Sequence, residues 1–450
     1  MHMTDKKSVF KRIRGAVQNH DAGALAGIFD ECPSADMADV IEHLEPGERV
    51  FMFTAFTVEQ AGKVLAEIES PVQKQILAGL DNPLLSDILQ QLPSDDAVDI
   101  LGNLSEERSE DILEMIGRNV SRELENLLKY GKETAGGIMD LEFVAVSEDN
   151  TVGDVVTIIR EKKKVKNLYH VWVLDHQDKL CGVLSLKDLL VESSDRRIRD
   201  IMNPEVIFVH AQKDQEEVAG LFKKHDLVNM PVVDDSGQLL GRITHDDIID
   251  VIEKELDEDL SLMTGVMGQP IAEESTLKIS RARLPWLITG IMGGIVAAVV
   301  INQFETTLEK ILALSFFFPV IMGMGGNTGT QAATIVVRGM ATGDISLINI
   351  KKRLWLEMRV AFVNGIVCGL FLGLIVGFWF SDYALGGIVA LAGALVILNS
   401  GVTGSAVPFV LRKCNIDPAL ATGPFITTLN DILGLLIYLG LLTLFLGEAV

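Results

Sequence analysis

DPALATGPFITTLNDILGLLIY, from Asp417 to Tyr438, sets a single carboxylate, Asp431, inside a run otherwise apolar enough to cross a membrane. Leu429, Ile432, Leu433, Leu435, Leu436 and Ile437 surround it. A charged side chain near the centre of a spanning helix costs roughly 2.5 to 3.5 kcal/mol on insertion scales, and such a cost usually marks a pathway. No Lys or Arg follows in the segment to neutralise it. Asn430 lies beside it, Thr427 and Thr428 stand about one turn earlier, and Gly434 leaves room for a neighbouring helix. The carboxylate reads as facing water or a cation. The competing reading is a protonated or hydrogen-bonded Asp that joins helices.

The rest of the C-terminal part is of the same kind. From Ile271 onward ten acidic residues face eleven basic ones, so the net charge of −23 resides in the residues before it. Several apolar runs there are long enough to span a bilayer. Five spans fit, at about 286–301, 311–337, 354–380, 384–411 and 420–446. Lys278, Arg281, Arg283, Arg338, Lys351, Lys352, Arg353, Arg412 and Lys413 flank one side and Lys310 the other. The positive-inside rule then places the N-terminal part in the cytoplasm and the C-terminus outside. The first 20 residues carry no apolar signal core. Cys32, Cys181, Cys368 and Cys414 are scattered, which fits reduced thiols rather than a zinc or redox site.

Within the spans, PVIMGMGGNTGTQAAT (Pro319 to Thr334), the patch from Asn399 to Ser405 with Pro408, and Gly423-Pro424 are rich in Gly, Pro and polar residues. Three interrupted helices around an aqueous cavity are expected from them, with Asn327 among the polar groups able to hold a hydrated ion. Gly365, Gly369, Gly373 and Gly377 form a strip at i+4 spacing and predict close helix packing. Glu357, four residues past Arg353, either touches the permeating ion or reaches the headgroups.

The acidic N-terminal part has two patterns. Between about Asp36 and Ile116 a turn near Pro46, Thr57, Pro71, Pro83, Pro93 and Ser105 precedes a short helical run, a period of roughly twelve residues that predicts a helical solenoid. Then Ile138 to Glu192 and Met202 to Glu253 repeat one another, each reading strand, helix, strand, turn, strand, helix. This duplication resembles a tandem pair of CBS domains, which sense adenine nucleotides or metal. In such pairs the hydroxyl and carboxylate corresponding to Ser185 and Asp188, and to Thr244 and Asp247, often hold a nucleotide ribose. The other reading of both is a helix capping box.

An acidic helix, DDIIDVIEKELDED from Asp246 to Asp259, leads toward the first span. Fifteen acids between Glu205 and Leu260 face five bases, and such a surface repels nucleic acid and attracts cations. A divalent cation bound among Asp214, Glu217, Asp226, Asp247, Asp250, Glu258 and Asp259, with Asp95 or Asp99 from the solenoid, would relieve the repulsion. The expected divisions are an all-α N-domain (1–130), an α/β CBS pair (131–253), an acidic connecting helix (254–284) and a five-helix transmembrane pore domain (285–450).

That order, with PVIMGMGGNTGTQ and DPALATGPFITTLNDILG in the spans, resembles the MgtE family of bacterial magnesium channels over nearly the whole chain. The resemblance implies a homodimer in the inner membrane with its pore between subunits, Asp431 as the pore ligand for Mg2+ and closure by cytosolic Mg2+, while the CBS resemblance makes ATP a candidate ligand of that pair. Gly423 stands where some relatives carry Asn. A channel or carrier for Mn2+ or Co2+, and a non-conducting membrane-anchored nucleotide sensor, are the rival readings. No nucleophile, base and oxyanion donor occur together, which argues against an enzyme.

Overall fold

The computed structural model describes residues 11–17, 19, 21–162, 165, 167–265, 276–341, 345 and 350–447. The stretch 266–275 of the expected connecting segment, most of the N-terminal 20 residues and the last three lie outside the described residues. The chain forms two compact units, Met1–Glu253 and Lys254–Val450.

The first unit begins with the solenoid. Its helices are α1 (Ala22–Glu31), α2 (Ser34–Glu42), α3 (Pro46–Ala55), α4 (Val58–Ala66), α5 (Ser70–Gly79), α6 (Asn82–Leu89), α7 (Ser94–Leu101), α8 (Glu106–Met115) and α9 (Arg118–Leu127). Each starts twelve residues after the one before, so the repeat runs beyond both ends of the expected 36–116 segment. The turns do this locally. Thr57 and Gln60 close a reciprocal cap, and Pro46, Pro71 and Pro83 occupy first-turn positions where a missing N–H costs nothing. Arg108 donates to the Leu77 and Leu80 carbonyls (both 2.6 Å) and to Asn82 Oδ1 (2.9 Å), satisfying acceptors that the end of α5 leaves free.

The duplicated segment follows as two three-stranded sheets. In the first copy β1 (Ala145–Ser147) runs parallel to β2 (His170–Leu174), which pairs antiparallel with β3 (Leu180–Ser185), with α10 (Val152–Glu161) between β1 and β2 and α11 (Leu186–Val191) after β3. The second copy repeats this with β4 (Val209–His210), α12 (Gln215–His225), β5 (Asn229–Val233), β6 (Leu239–Thr244) and α13 (His245–Thr264). Both predicted hairpins are present, each turn closed by an Asp, 175 or 234, that accepts from backbone N–H groups inside it. Ile248 and Val251 of α13 are buried, whereas Ile249, Ile252 and Leu256 are exposed.

The second unit holds five helices of spanning length and apolarity: α14 (Thr276–Gln303), α16 (Phe318–Ala341), α17 (Ile350–Phe380), α18 (Tyr383–Lys413) and α19 (Pro424–Gly447), with a short α15 (Glu305–Lys310) after the first. The expectation of interrupted helices is corrected here. α16 runs unbroken through Gly323–Thr330 and α18 through Asn399–Pro408, and Gly423-Pro424 marks the start of α19. The glycines instead admit neighbours. A Cβ added at Gly404 would lie 2.3 Å from the Gly329 carbonyl, and one at Gly434 would lie 3.3 Å from Val396. The strip on α17 acts as predicted: added Cβ atoms at Gly365, Gly369 and Gly373 would meet α18 carbonyls at 2.4 to 2.7 Å.

Candidate functional site

In the second unit, Asp431 is half-buried on α19, and its Oδ1 would lie 3.4 Å from a Cβ added at Gly326 of α16. The carboxylate therefore rests over a glycine face that brings two backbones together. Thr427, one turn earlier, donates to the Pro424 carbonyl (3.0 Å), and Thr428 faces α14 at Gly293. Asn327 is exposed on α16. Glu357 is buried and ion-paired with Arg353 on its own helix. Asn430 is fully buried and accepts from Thr403 Oγ1 at 2.7 Å.

A second carboxylate group lies in the same unit. Burial, then Asp417, then Glu255 push Asp259 up to about 6. Asp417 caps the short helix Pro418–Ala421, its Oδ1 accepting from Ala419 N at 2.8 Å.

In the first unit the acids gather where α7 of the solenoid and the start of α13 approach. Asp95 is raised well above the carboxylate range by burial, then by Asp247, Asp96 and Asp140, and its Oδ1 is buried without a hydrogen-bond partner. Asp96 is pushed up to about 7 by burial, then by Asp247, Asp99, Glu67 and Asp250. Burial raises Asp247, against the hydrogen bonds it accepts from Thr244. Glu67 is raised by burial and then by Asp250. One member is neutralised: Asp140 pairs with the buried Arg242 at 3.2 Å. Carboxylates crowded in this way carry unfavourable charge that a proton or a cation relieves. Among the described residues, no three acidic, His or Cys side chains stand close enough to hold a metal ion as they are.

Three of the remaining predicted acids have local roles. Asp214 caps α12 by accepting from Glu216 N at 2.9 Å. Glu217 pairs with Lys213. Asp226 terminates α12 in the left-handed region (φ 51°). Asp96, Glu67, Asp140, Glu255 and Asp417 complete the clusters, yet nothing in the sequence distinguishes them from the chain's many other acids.

Of the two sequence pairs in the duplicated segment, Ser185 and Asp188 form a full capping box, and Thr244 with Asp247 shows one half of the pattern. Ser185 Oγ donates to Asp188 Oδ2 (2.7 Å) while Asp188 N donates back to Ser185 Oγ (3.2 Å). Thr244 donates to Asp247 through both N–H and hydroxyl. Thr244 also lines a pocket of about 270 Å³ with Asn167, Tyr169, Val228, Asn229, His245, Asp246 and Ile249. Its lining offers an aromatic ring, two apolar side chains and several hydrogen-bonding groups.

Three family models match in order along the chain: an MgtE intracellular N domain over residues 32–133, CBS domains over 135–195 and 198–254, and MgtE, described as a divalent cation transporter, over 318–441. The chain is 36% identical to the magnesium transporter MgtE of Thermus thermophilus, covering 97% of this chain and 98% of that one. The chain belongs to the MgtE family. It is 32% identical to the Bacillus subtilis magnesium transporter MgtE over 93% of each chain, and 38% identical to that of Enterococcus faecalis over 72% of each. The family consists of transporters, not enzymes, and the five apolar helices make this MgtE chain a multi-pass membrane protein. Its N-terminal part is similar to the crystal structure of the soluble part of a magnesium transporter (30% identity, TM-score 0.51, 56% of this chain and 99% of that one). It is also similar to the cytosolic domain of the Mg2+ channel MgtE in complex with ATP (33% identity, TM-score 0.52, 54% and 99%).

Proposed function

We propose that this protein is a Mg2+-selective channel for magnesium uptake across the cytoplasmic membrane, working as a homodimer with its N-terminus inside and its C-terminus outside. The observation that carries the proposal is Asp431, a half-buried carboxylate on an apolar span, laid over Gly326 of a neighbouring helix. Mg2+ dehydrates reluctantly and keeps several waters, so a carboxylate from each subunit would hold the hydrated ion rather than strip it. Family membership and the relatives' printed names support Mg2+ as the cargo. The Arg353–Glu357 pair supports a structural place for Glu357 outside the ion path.

Cytosolic Mg2+ would close the channel by binding at the cluster of Asp95, Asp96, Asp247, Asp250 and Glu67, and at Asp259 with Glu255 and Asp417. The raised carboxylates support this: burial raises them most and their neighbours' charges raise them further, and a bound divalent cation favours the ionised form against both. ATP fits the pocket at Thr244 and Tyr169, and the ATP complex of a similar cytosolic domain supports it as a ligand.

Flux into proteoliposomes tests the proposal. Wild-type protein should carry Mg2+ with Mn2+ and Co2+ competing weakly, and Asp431→Ala should lose nearly all flux while assembling normally. Undiminished flux in that variant would return Asp431 to a helix-joining role.

A further inference from the structure

Apart from Arg353 Nε, the buried polar atoms of the membrane unit without a hydrogen-bond partner belong, among the described residues, to three helices. They are Thr330 Oγ1 on α16, Asn399 Nδ2 and Ser400 Oγ on α18, and Asn430 Nδ2 on α19. A Cβ added at Gly325 would lie 3.3 Å from Ser400 Oγ and 3.4 Å from the Asn430 carbonyl, so Ser400 and Asn430 meet on one face of α16. Asn430 is held on two sides. Thr403 Oγ1 of α18 lies 2.7 Å from its Oδ1, the shortest of three contacts that share the one hydroxyl proton, the others being to the Asn399 carbonyl at 2.9 Å and the Ser400 carbonyl at 3.3 Å, and its amide nitrogen rests on Gly329 of α16, where a Cβ would come within 1.9 Å. No side chain larger than glycine fits at 329 while Asn430 stays in place.

Asp431 is the next residue, and neighbours on an α-helix point about 100° apart, so whatever holds the rotation of Asn430 also holds that of Asp431. A rotation of α19 by about 15° would move an atom at the helix's outer radius by about 1.5 Å. That exceeds the difference between Mg–oxygen and Ca–oxygen distances, about 0.3 to 0.5 Å. We propose that Asn430, clasped by Thr403 and seated on Gly329, is a positioning residue that sets the rotation of α19. It thereby sets the point at which Asp431 meets the hydrated cation, and so the preference among divalent ions. The proposal rests on the assignment of Asp431 as the cation ligand.

The test uses the full-length protein in proteoliposomes, with Mg2+, Co2+ and Ca2+ as probes. Thr403→Val removes the donor at nearly constant size, Thr403→Ser keeps it, and Gly329→Ala displaces the amide. In Thr403→Val the half-saturating Mg2+ concentration should rise about fivefold, the equivalent of one net hydrogen bond, and the preference for Mg2+ should fall. Gly329→Ala should do the same or more, and Thr403→Ser should restore wild-type values. Unchanged half-saturation and ion preference in Thr403→Val, or a loss confined to maximal flux per folded protein, overturns the proposal. Should Thr403→Val fail to assemble, the smaller Thr403→Ala is read by the same criteria. Asp431→Ala separates the two levels. Full flux there removes the ligand assignment, whereas lost flux there with a silent Thr403→Val overturns the positioning role alone.

Discussion

Asp431 and Asp96 are both carboxylates in costly places, and the costs differ in kind. Asp431 is a solitary charge on an apolar helix, with a glycine face beneath it and no cation partner among its described contacts. Asp96 is surrounded by its own kind, with Asp247, Asp99, Glu67 and Asp250 all opposing its ionisation. A solitary carboxylate suits an ion that must pass, because one ligand per subunit binds a hydrated cation weakly enough to release it. A crowded group suits an ion that must be counted, because each added charge raises the gain from neutralisation.

The largest effect distinguishing the two should come from removing each side of the comparison. Asp431→Ala should abolish flux at every internal Mg2+ concentration. A chain lacking residues 1–260 should conduct but lose most of its inhibition by internal Mg2+, measured in the same liposomes. Equal inhibition of the truncated and full-length chains would show that the crowded acids are not the sensor.

A smaller effect is expected from one member of the cluster. Because Asp96 is raised from 3.8 to about 7, the folded unit holds its proton more tightly than the unfolded chain does. Its stabilising contribution is therefore fully present below about pH 4 and is lost as pH rises toward 7. Without divalent cations, the melting temperature of the soluble part should fall across that window, and millimolar Mg2+ should restore it. Asp96→Asn should flatten the pH dependence and stabilise the cation-free protein at pH 7.5 by about 1 to 2 kcal/mol, less than the full shift because neighbours share the titration. An unchanged pH profile in Asp96→Asn would remove it from the cluster's charge balance.

The smallest effect separates two helix caps that look alike. Ser185→Ala should cost about 1 kcal/mol of stability through loss of the cap, and leave ATP binding intact. Thr244→Ala should cost a similar amount and also weaken ATP binding several-fold by calorimetry, since Thr244 lines the pocket. Equal ATP affinities in both variants would detach the pocket from the nucleotide.

Sequence alone determined what repeats and what water refuses. The twelve-residue turn spacing, the duplicated strand and helix pattern, and the five apolar runs each follow from local rules of capping, alternation and transfer energy, which act within a few residues. Asp431 was legible for the same reason, since its cost shows against the neighbours in its own helix. Tertiary structure decided the meaning of residues whose partners are distant in the chain. The glycines and polar residues of Gly323–Thr330 and Asn399–Ser405 look like helix breaks until α16 is seen to press against α18 and α19, where they prove to be close-approach faces on unbroken helices. Asp95 is a cation-ligand candidate in the sequence, whereas Asp96 gains its place only when folding brings Asp247 and Asp250 beside it from roughly 150 residues away. Glu357 shows its Arg353 partner, and Asn430 its contacts with Thr403 and Gly329, only in the folded chain. Repulsion, burial and close approach depend on distances through space, and those exist only once the chain has folded.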